Sequence, residues 1–287
     1  MPTDTPCPSI VMIDLEGTKI AARQFGKGPP VLCLHAIGHG ARDFDQVAER
    51  LGTSYRFIAI DWPGHGDSPA EAKAPTARHY ATIVRNLLAA LDLKDVVILG
   101  NSIGGAAAIL TAAAEPERIR GLVLCSPGGL IRSIFLVRAY CRWYARFFAR
   151  GAAGNKSFPA AFRLYYERKI LPAPAAKWRR EEIIASAQDV APLLSHAWAG
   201  FAARDADVLK EAAEVRCPVL YAWAKGDQVN NWRFSKRGAM RVPDHRVELL
   251  PGGHAPFLEA PDAFDASFVR FERSLPRPKP LLSSARA

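Results

Sequence analysis

Val96-Val97-Ile98-Leu99-Gly100-Asn101-Ser102-Ile103-Gly104-Gly105-Ala106 runs from an apolar stretch, through a serine flanked by glycines, into an alanine-rich segment. The apolar residues read as a buried strand and Ile103 to Ala114 as a helix, so Ser102 falls on the turn between them. So tight a turn needs small neighbours, and Gly100, Gly104 and Gly105 leave room for the helix to come back against the strand. Ser102 then projects its hydroxyl beside the helix N-terminus, whose free N–H groups and positive dipole end favour developing negative charge. A simple helix-capping serine is the plainer alternative, and the strand-before, helix-after setting argues against it.

Outward from this turn the chain alternates. Toward the N-terminus, Ile10 to Phe25 suggests two short strands around Glu16-Gly17, followed by the buried run Val31 to Leu34, a helix over Ala41 to Leu51, the strand Tyr55 to Ile60 and a helix over Arg78 to Leu91. Toward the C-terminus come the strands Ile119 to Leu124, Val219 to Trp223 and Arg246 to Leu250, with helices near Trp232 to Met240 and over Pro261 to Ser274. Strand–helix–strand alternation predicts an α/β fold with a mostly parallel sheet flanked by helices. The rhythm breaks over residues 130–215, which read as an inserted helical lid within a core of 1–129 and 216–275; residues 276–287 read as a loose tail.

A serine hydroxyl is a weak nucleophile and needs a base, which in turn needs an orienting acid. His254 directly follows the last predicted strand, in Pro251-Gly252-Gly253-His254-Ala255-Pro256, and Asp227 follows the Val219 to Trp223 strand, in Lys225-Gly226-Asp227-Gln228. Both therefore reach the sheet edge that carries Ser102, and the chain order Ser102, Asp227, His254 excludes the orders of two other common serine-protease types. A turn-forming aspartate and a loop histidine are the plainer readings of these two residues. The Ile103 backbone N–H is one candidate donor to an oxyanion; a second is expected from His35-Ala36-Ile37-Gly38-His39-Gly40, the loop after Val31 to Leu34.

Together these segments resemble the α/β-hydrolase superfamily over residues 10 to 126 and 216 to 274. Its members often carry a His-Gly pair in the loop after this strand, with the residue two beyond that histidine as second oxyanion donor, which implies Ile37. Ala36 departs from the usual glycine there, and its Cβ restricts the backbone. Asp61-Trp62-Pro63-Gly64-His65-Gly66-Asp67-Ser68 also looks like a superfamily hallmark, with turn residues that imply support for the site. The resemblance implies an α/β-hydrolase fold and a serine hydrolase that cleaves a carboxylic ester, lactone or thioester through an acyl-enzyme, with no cofactor. Gly100 to Gly105 and Ser126 to Leu130 are also similar to segments of meta-cleavage-product hydrolases, which implies carbon–carbon bond cleavage as the alternative, although that family's Gly-Pro-Gly oxyanion loop is missing. A triad-retaining ligand-binding protein is a third possibility. Dehalogenase or epoxide hydrolase chemistry calls for an aspartate where Ser102 stands.

The rest of the sequence narrows the setting. The 287 residues carry a net charge of +10, and no segment is apolar enough to span a bilayer. The start, Met1 to Pro8, lacks signal-peptide features, and Cys33, Cys125 and Cys217 lie in or beside buried strands, so a reduced, cytoplasmic protein is expected. No cysteine or histidine cluster has metal-ligand spacing, so no metal is expected. Within the lid, Arg132, Arg138, Arg142, Arg146 and Arg150 read as one basic helical face interleaved with aromatic residues. A solvated arginine face with its aromatics packed inward is favoured over contact with anionic lipid or steering of an acidic substrate; nucleic acid is not expected as a partner. The abundance of rings implies an apolar pocket for a small molecule with a hydrophobic part.

Overall fold

The computed structural model describes residues 8–276. It begins with strands β1 (Ser9–Leu15) and β2 (Thr18–Phe25), joined at Glu16 and Gly17, both of positive φ, as a two-residue hairpin turn requires. Strand β3 (Pro30–Leu34) is followed by a 3-10 turn, Ala41–Phe44, and helix α1 (Asp45–Leu51). The expected single helix from Ala41 is thus split. The reason is local: the Ala41 N–H donates to the Asp61 carboxylate at 2.7 Å, which ties the first turn to the neighbouring loop. Then come β4 (Arg56–Ile60), α2 (Ala77–Ala90), β5 (Val96–Asn101), α3 (Ile103–Ala114) and β6 (Ile119–Cys125).

Between β6 and the next strand the chain forms helices only: α4 (Phe135–Ala152), α5 (Phe158–Tyr165), α6 (Lys177–Ala185), α7 (Ala187–Phe201) and the short α8 (Leu209–Ala212). The sheet resumes with β7 (Val219–Ala224), α9 (Trp232–Ala239), β8 (His245–Leu250), the one-turn α10 (Pro256–Glu259) and α11 (Pro261–Ser274). The eight strands lie in the order β1-β2-β4-β3-β5-β6-β7-β8, antiparallel from β1 to β4 and parallel from there on. The expected tail, beyond Pro276, lies outside the described residues.

Strands β5, β6 and β7 are buried along their whole length, which is why they read as unbroken apolar runs and not as alternating patterns. Alternate residues feed two cores. Leu32, Ile98 and Leu122 face α2 and α3, where Tyr80, Val84 and Ala107 meet them. Val97, Leu99 and Val123 belong to the opposite core, with Phe44, Phe264 and Phe268, and this core continues into the insertion through Tyr144, Phe148 and Phe162.

The insertion is organised by α4 against α7, with the Tyr144 and Trp198 rings stacked at 4.4 Å. Two expectations for α4 need correction. Arg132 precedes the helix, which starts at Phe135, so the basic face is Arg138, Arg142, Arg146 and Arg150. The preceding loop is held by Ser133, whose hydroxyl donates to Ala203 O at 2.6 Å. The aromatics are not all turned inward either: Tyr144 and Phe148 are buried, but Phe135 is 72% and Trp143 58% exposed.

Candidate functional site

Strand β5 ends at Asn101 and α3 begins at Ile103, leaving Ser102 alone at the turn with φ 54° and ψ −116°. A left-handed backbone costs a residue with a side chain on the order of 1–3 kcal/mol and persists only when its surroundings over-determine it. They do so here: Ser102 N donates to Cys125 O, and Ser102 O accepts from Gly128 N and Ala106 N. A Cβ at Gly104 would stand 2.2 Å from Leu34 O, so only glycine lets α3 approach β3 this closely.

His254 lies in the loop after β8, and its Nδ1 donates to Asp227 Oδ2 at 2.8 Å. Both side chains are buried. The other oxygen of Asp227 accepts the Val229 and Asn230 N–H groups at 2.7 and 2.9 Å, so the carboxylate is fixed by its own turn and aimed at the ring. Burial works against a charged His254, but the negative charge of Asp227, its hydrogen bond and the nearby Glu259 together raise the pKa above the ordinary imidazole value. With Nδ1 committed to Asp227, Nε2 is left as the acceptor. Ser102 and His254 line one cavity; no hydrogen bond joins them among the described residues, a contact that commonly tightens only with substrate.

Two further residues hold this loop and carried no local signal in the sequence. The Glu259 side chain, from α10, receives the Gly253, His254 and Ala255 N–H groups on one oxygen at 2.8, 2.9 and 3.1 Å and the Ala173 N–H of the insertion on the other. Burial pushes its pKa up while these four donors pull it down, and the net direction is upward. The Asn101 amide donates to Cys125 O and to His254 O, fastening the serine-bearing strand to the histidine loop.

Ile37 and Ile103 also border the cavity, and neither backbone N–H donates to another group among the described residues. Around Ile37 the loop is pinned: Gly38 N donates to His65 Nε2, and His39 N to Ala36 O. The left-handed residue of this loop is Gly38, φ 74°, and not Ala36, so the Ala36 Cβ costs nothing there. His35 accepts from Trp62 N through Nε2 and donates to Ala36 O through Nδ1; burial, and then His65, lower its pKa well below the usual value. His65 is likewise pushed down to about 4 by burial. Both rings are neutral struts. Ser68 donates to Asp61 O and accepts from Ala21 N, so the Asp61 to Ser68 segment braces the loop.

His39 faces the same cavity and donates to Asp43 at 2.7 Å; Asp43 also receives Arg179 Nε, from α6, at 2.6 Å. The cavity holds about 510 Å³. Beside the site residues it is lined by apolar and aromatic side chains of the insertion, among them Tyr140, Leu194 and Trp198. No group of three or more His, Cys, Asp or Glu among the described residues is arranged to hold a metal ion.

Comparison with known proteins agrees with this architecture. A model of the "Alpha/beta hydrolase family" matches residues 31–266. The pimeloyl-[acyl-carrier protein] methyl ester esterase of Chromobacterium violaceum is 30% identical over 85% of this chain and 93% of its own. The 2-hydroxy-6-oxo-6-phenylhexa-2,4-dienoate hydrolase of Burkholderia cepacia is 26% identical over 90% and 92%. Uncharacterized mycobacterial relatives are matched over only 39% of their length. A solved structure described as a putative lipase from Acinetobacter baumannii superposes with a TM-score of 0.78 at 20% identity, covering 93% of this chain and 91% of that one. The sheet order, the serine turn and the family match over most of the chain lead to one assignment: this protein belongs to the alpha/beta hydrolase family.

Proposed function

We propose that the protein is a serine hydrolase that cleaves a carboxylic ester, lactone or thioester with a hydrophobic part through an acyl-enzyme. The observation that carries this reading is the convergence on one cavity of Ser102 in its strained turn, the His254–Asp227 pair, and two undonated N–H groups, Ile37 and Ile103. In this mechanism His254 Nε2 takes the Ser102 proton as Oγ attacks the carbonyl carbon, and the Ile37 and Ile103 N–H groups donate to the oxyanion. The protonated ring then gives its proton to the leaving group, and water repeats the sequence to release the acid. Asp227 keeps the ring in the productive tautomer. The helical insertion acts as the lid, supplying the apolar wall that selects the substrate. The name of the 30% identical relative supports an ester as substrate. Four free cysteines among the described residues support a reducing, cytoplasmic compartment.

The test is intact-protein mass spectrometry after a fluorophosphonate probe, beside turnover of nitrophenyl esters of graded chain length and of a ring-fission dienone. The wild type takes one label at Ser102 and hydrolyses esters, and Ser102→Ala does neither while remaining folded. An unlabelled wild type overturns the proposal. Labelling with dienone cleavage alone moves the assignment to carbon–carbon bond hydrolysis, the chemistry in the name of the Burkholderia relative. Labelling without turnover of either substrate favours a triad-retaining binding protein.

A further inference from the structure

Helices α4 and α9 both border the cavity, α4 through Leu136, Val137 and Tyr140 and α9 through Phe234 and Ser235. Their charges are one-sided. Helix α4 carries Arg138, Arg142, Arg146 and Arg150 and no carboxylate; α9 carries Arg233, Lys236 and Arg237 and no carboxylate. None of these cations forms an ion pair among the described residues, so the charge of the two helices is not offset by a neighbouring carboxylate. The same two helices expose large apolar side chains: Phe135 and Phe234 are each 72% exposed, Leu136 71% and Trp143 58%. Leu136 and Phe234 also line the cavity, so this apolar rim is continuous with its mouth. Along α4, Phe135, Arg142, Trp143 and Arg146 follow the spacing that places them on one face.

We infer that this face docks on an anionic lipid bilayer, with the cavity mouth turned toward the membrane. A bilayer offers both halves of what the face lacks: a plane of headgroup phosphates for the cations and an acyl layer for Phe135, Leu136 and Phe234, with Trp143 at the boundary between them. An acidic protein answers the charge but not four protruding apolar side chains. A second copy of the chain would bring like charges together. No helix among the described residues is long and apolar enough to cross a membrane, so the contact is peripheral. Docking is separable from the reaction proposed above, since Phe135, Arg142, Trp143 and Arg146 do not line the cavity.

The experiment is co-sedimentation of the full chain with phosphatidylcholine vesicles and with mixed phosphatidylcholine–phosphatidylglycerol vesicles, at low and raised salt. The wild type binds the mixed vesicles, releases with salt and ignores the neutral ones. At about fivefold per cation, the double variant Arg142→Gln/Arg146→Gln binds roughly 25-fold more weakly, and Arg142→Lys/Arg146→Lys restores binding. Phe135→Ser/Trp143→Ser also loses binding, while all three variants stay folded and hydrolyse a short soluble ester at the wild-type rate. Equal binding to both vesicles, binding to neither, or wild-type binding by the Gln variant overturns the inference. So does a dimer in sedimentation that Phe135→Ser dissociates, which gives the face to a second copy. Retention on polyglutamate that ignores Phe135→Ser/Trp143→Ser, with no vesicle binding, gives it to an acidic protein instead.

Discussion

The rings of two histidine–aspartate pairs line the same cavity, and the pairs are built almost alike. His254 donates to Asp227 at 2.8 Å and His39 to Asp43 at 2.7 Å, and all four side chains are buried. They differ in what the second carboxylate oxygen does. Asp227 spends it on two N–H groups of its own turn, so its charge is directed at the ring. Asp43 spends it on Arg179, from a helix of the insertion 136 residues away. Burial opposes charge on Asp43, but His39 and Arg179 together hold its carboxyl well below the usual range. Asp43 and Arg179 thus form a buried ionic clamp between core and insertion. Pair geometry alone does not make a base; a ring whose partner charge is unshared, on the wall that carries Ser102, is the one suited to take a proton.

The largest effect that would separate the pairs is on turnover. Asp227→Asn is expected to lower kcat by about 10⁴ through the wrong His254 tautomer, measured on the best nitrophenyl ester; a comparable loss in His39→Gln would erase the distinction. Asp43→Asn, in contrast, is expected to act on stability. Weakening a buried ion pair while Glu182 still holds Arg179 costs about 3 kcal/mol, a fall in Tm of roughly 6–12 °C in calorimetry. Glu259→Gln removes a charge near the ring and turns one of two accepting oxygens into a donor that faces a backbone N–H, so His254 shifts and kcat is expected to fall by up to about 10²-fold in steady-state kinetics.

The smallest effect is on pH dependence. Because His254 is raised and must be neutral to act as base, the acid limb of kcat/KM lies above the ordinary imidazole value of about 6.5, and Glu259→Gln moves it down. The same shift has a sign for stability: a proton held more tightly in the folded chain stabilises it below about pH 6.5, and that contribution is lost as pH rises through the folded pKa. Melting curves of wild type and Asp227→Asn across this range check it, since the variant lacks the pH-dependent increment.

The difference between the pairs also marks what a linear reading can reach. Ser102, Asp227 and His254 each closely follow a strand and sit beside glycines, so the punctuation of the chain is enough to bring them to one sheet edge. Asp43 and Arg179 meet only because an insertion folds back over a core loop, and nothing near either residue announces the other. Glu259 needed knowledge that one turn of helix after His254 reverses the chain. The extent of α4 was misread at Arg132, because a polar loop residue can continue a basic pattern by chance; the periodicity of Phe135 to Ala152 itself was sound. The concern over Ala36 dissolved because the left-handed position falls at Gly38, which only the backbone reveals.

The Asn101 bond to His254 O spans 153 residues, and Glu259 lies beyond that again. A chain emerging from synthesis therefore exposes its serine turn long before any base can reach it. Domains form largely in the order they are made, so on the proposed mechanism the growing protein stays inert until its final segment docks. Chains cut short before His254 should carry the same silence: a nucleophile with nothing to wake it.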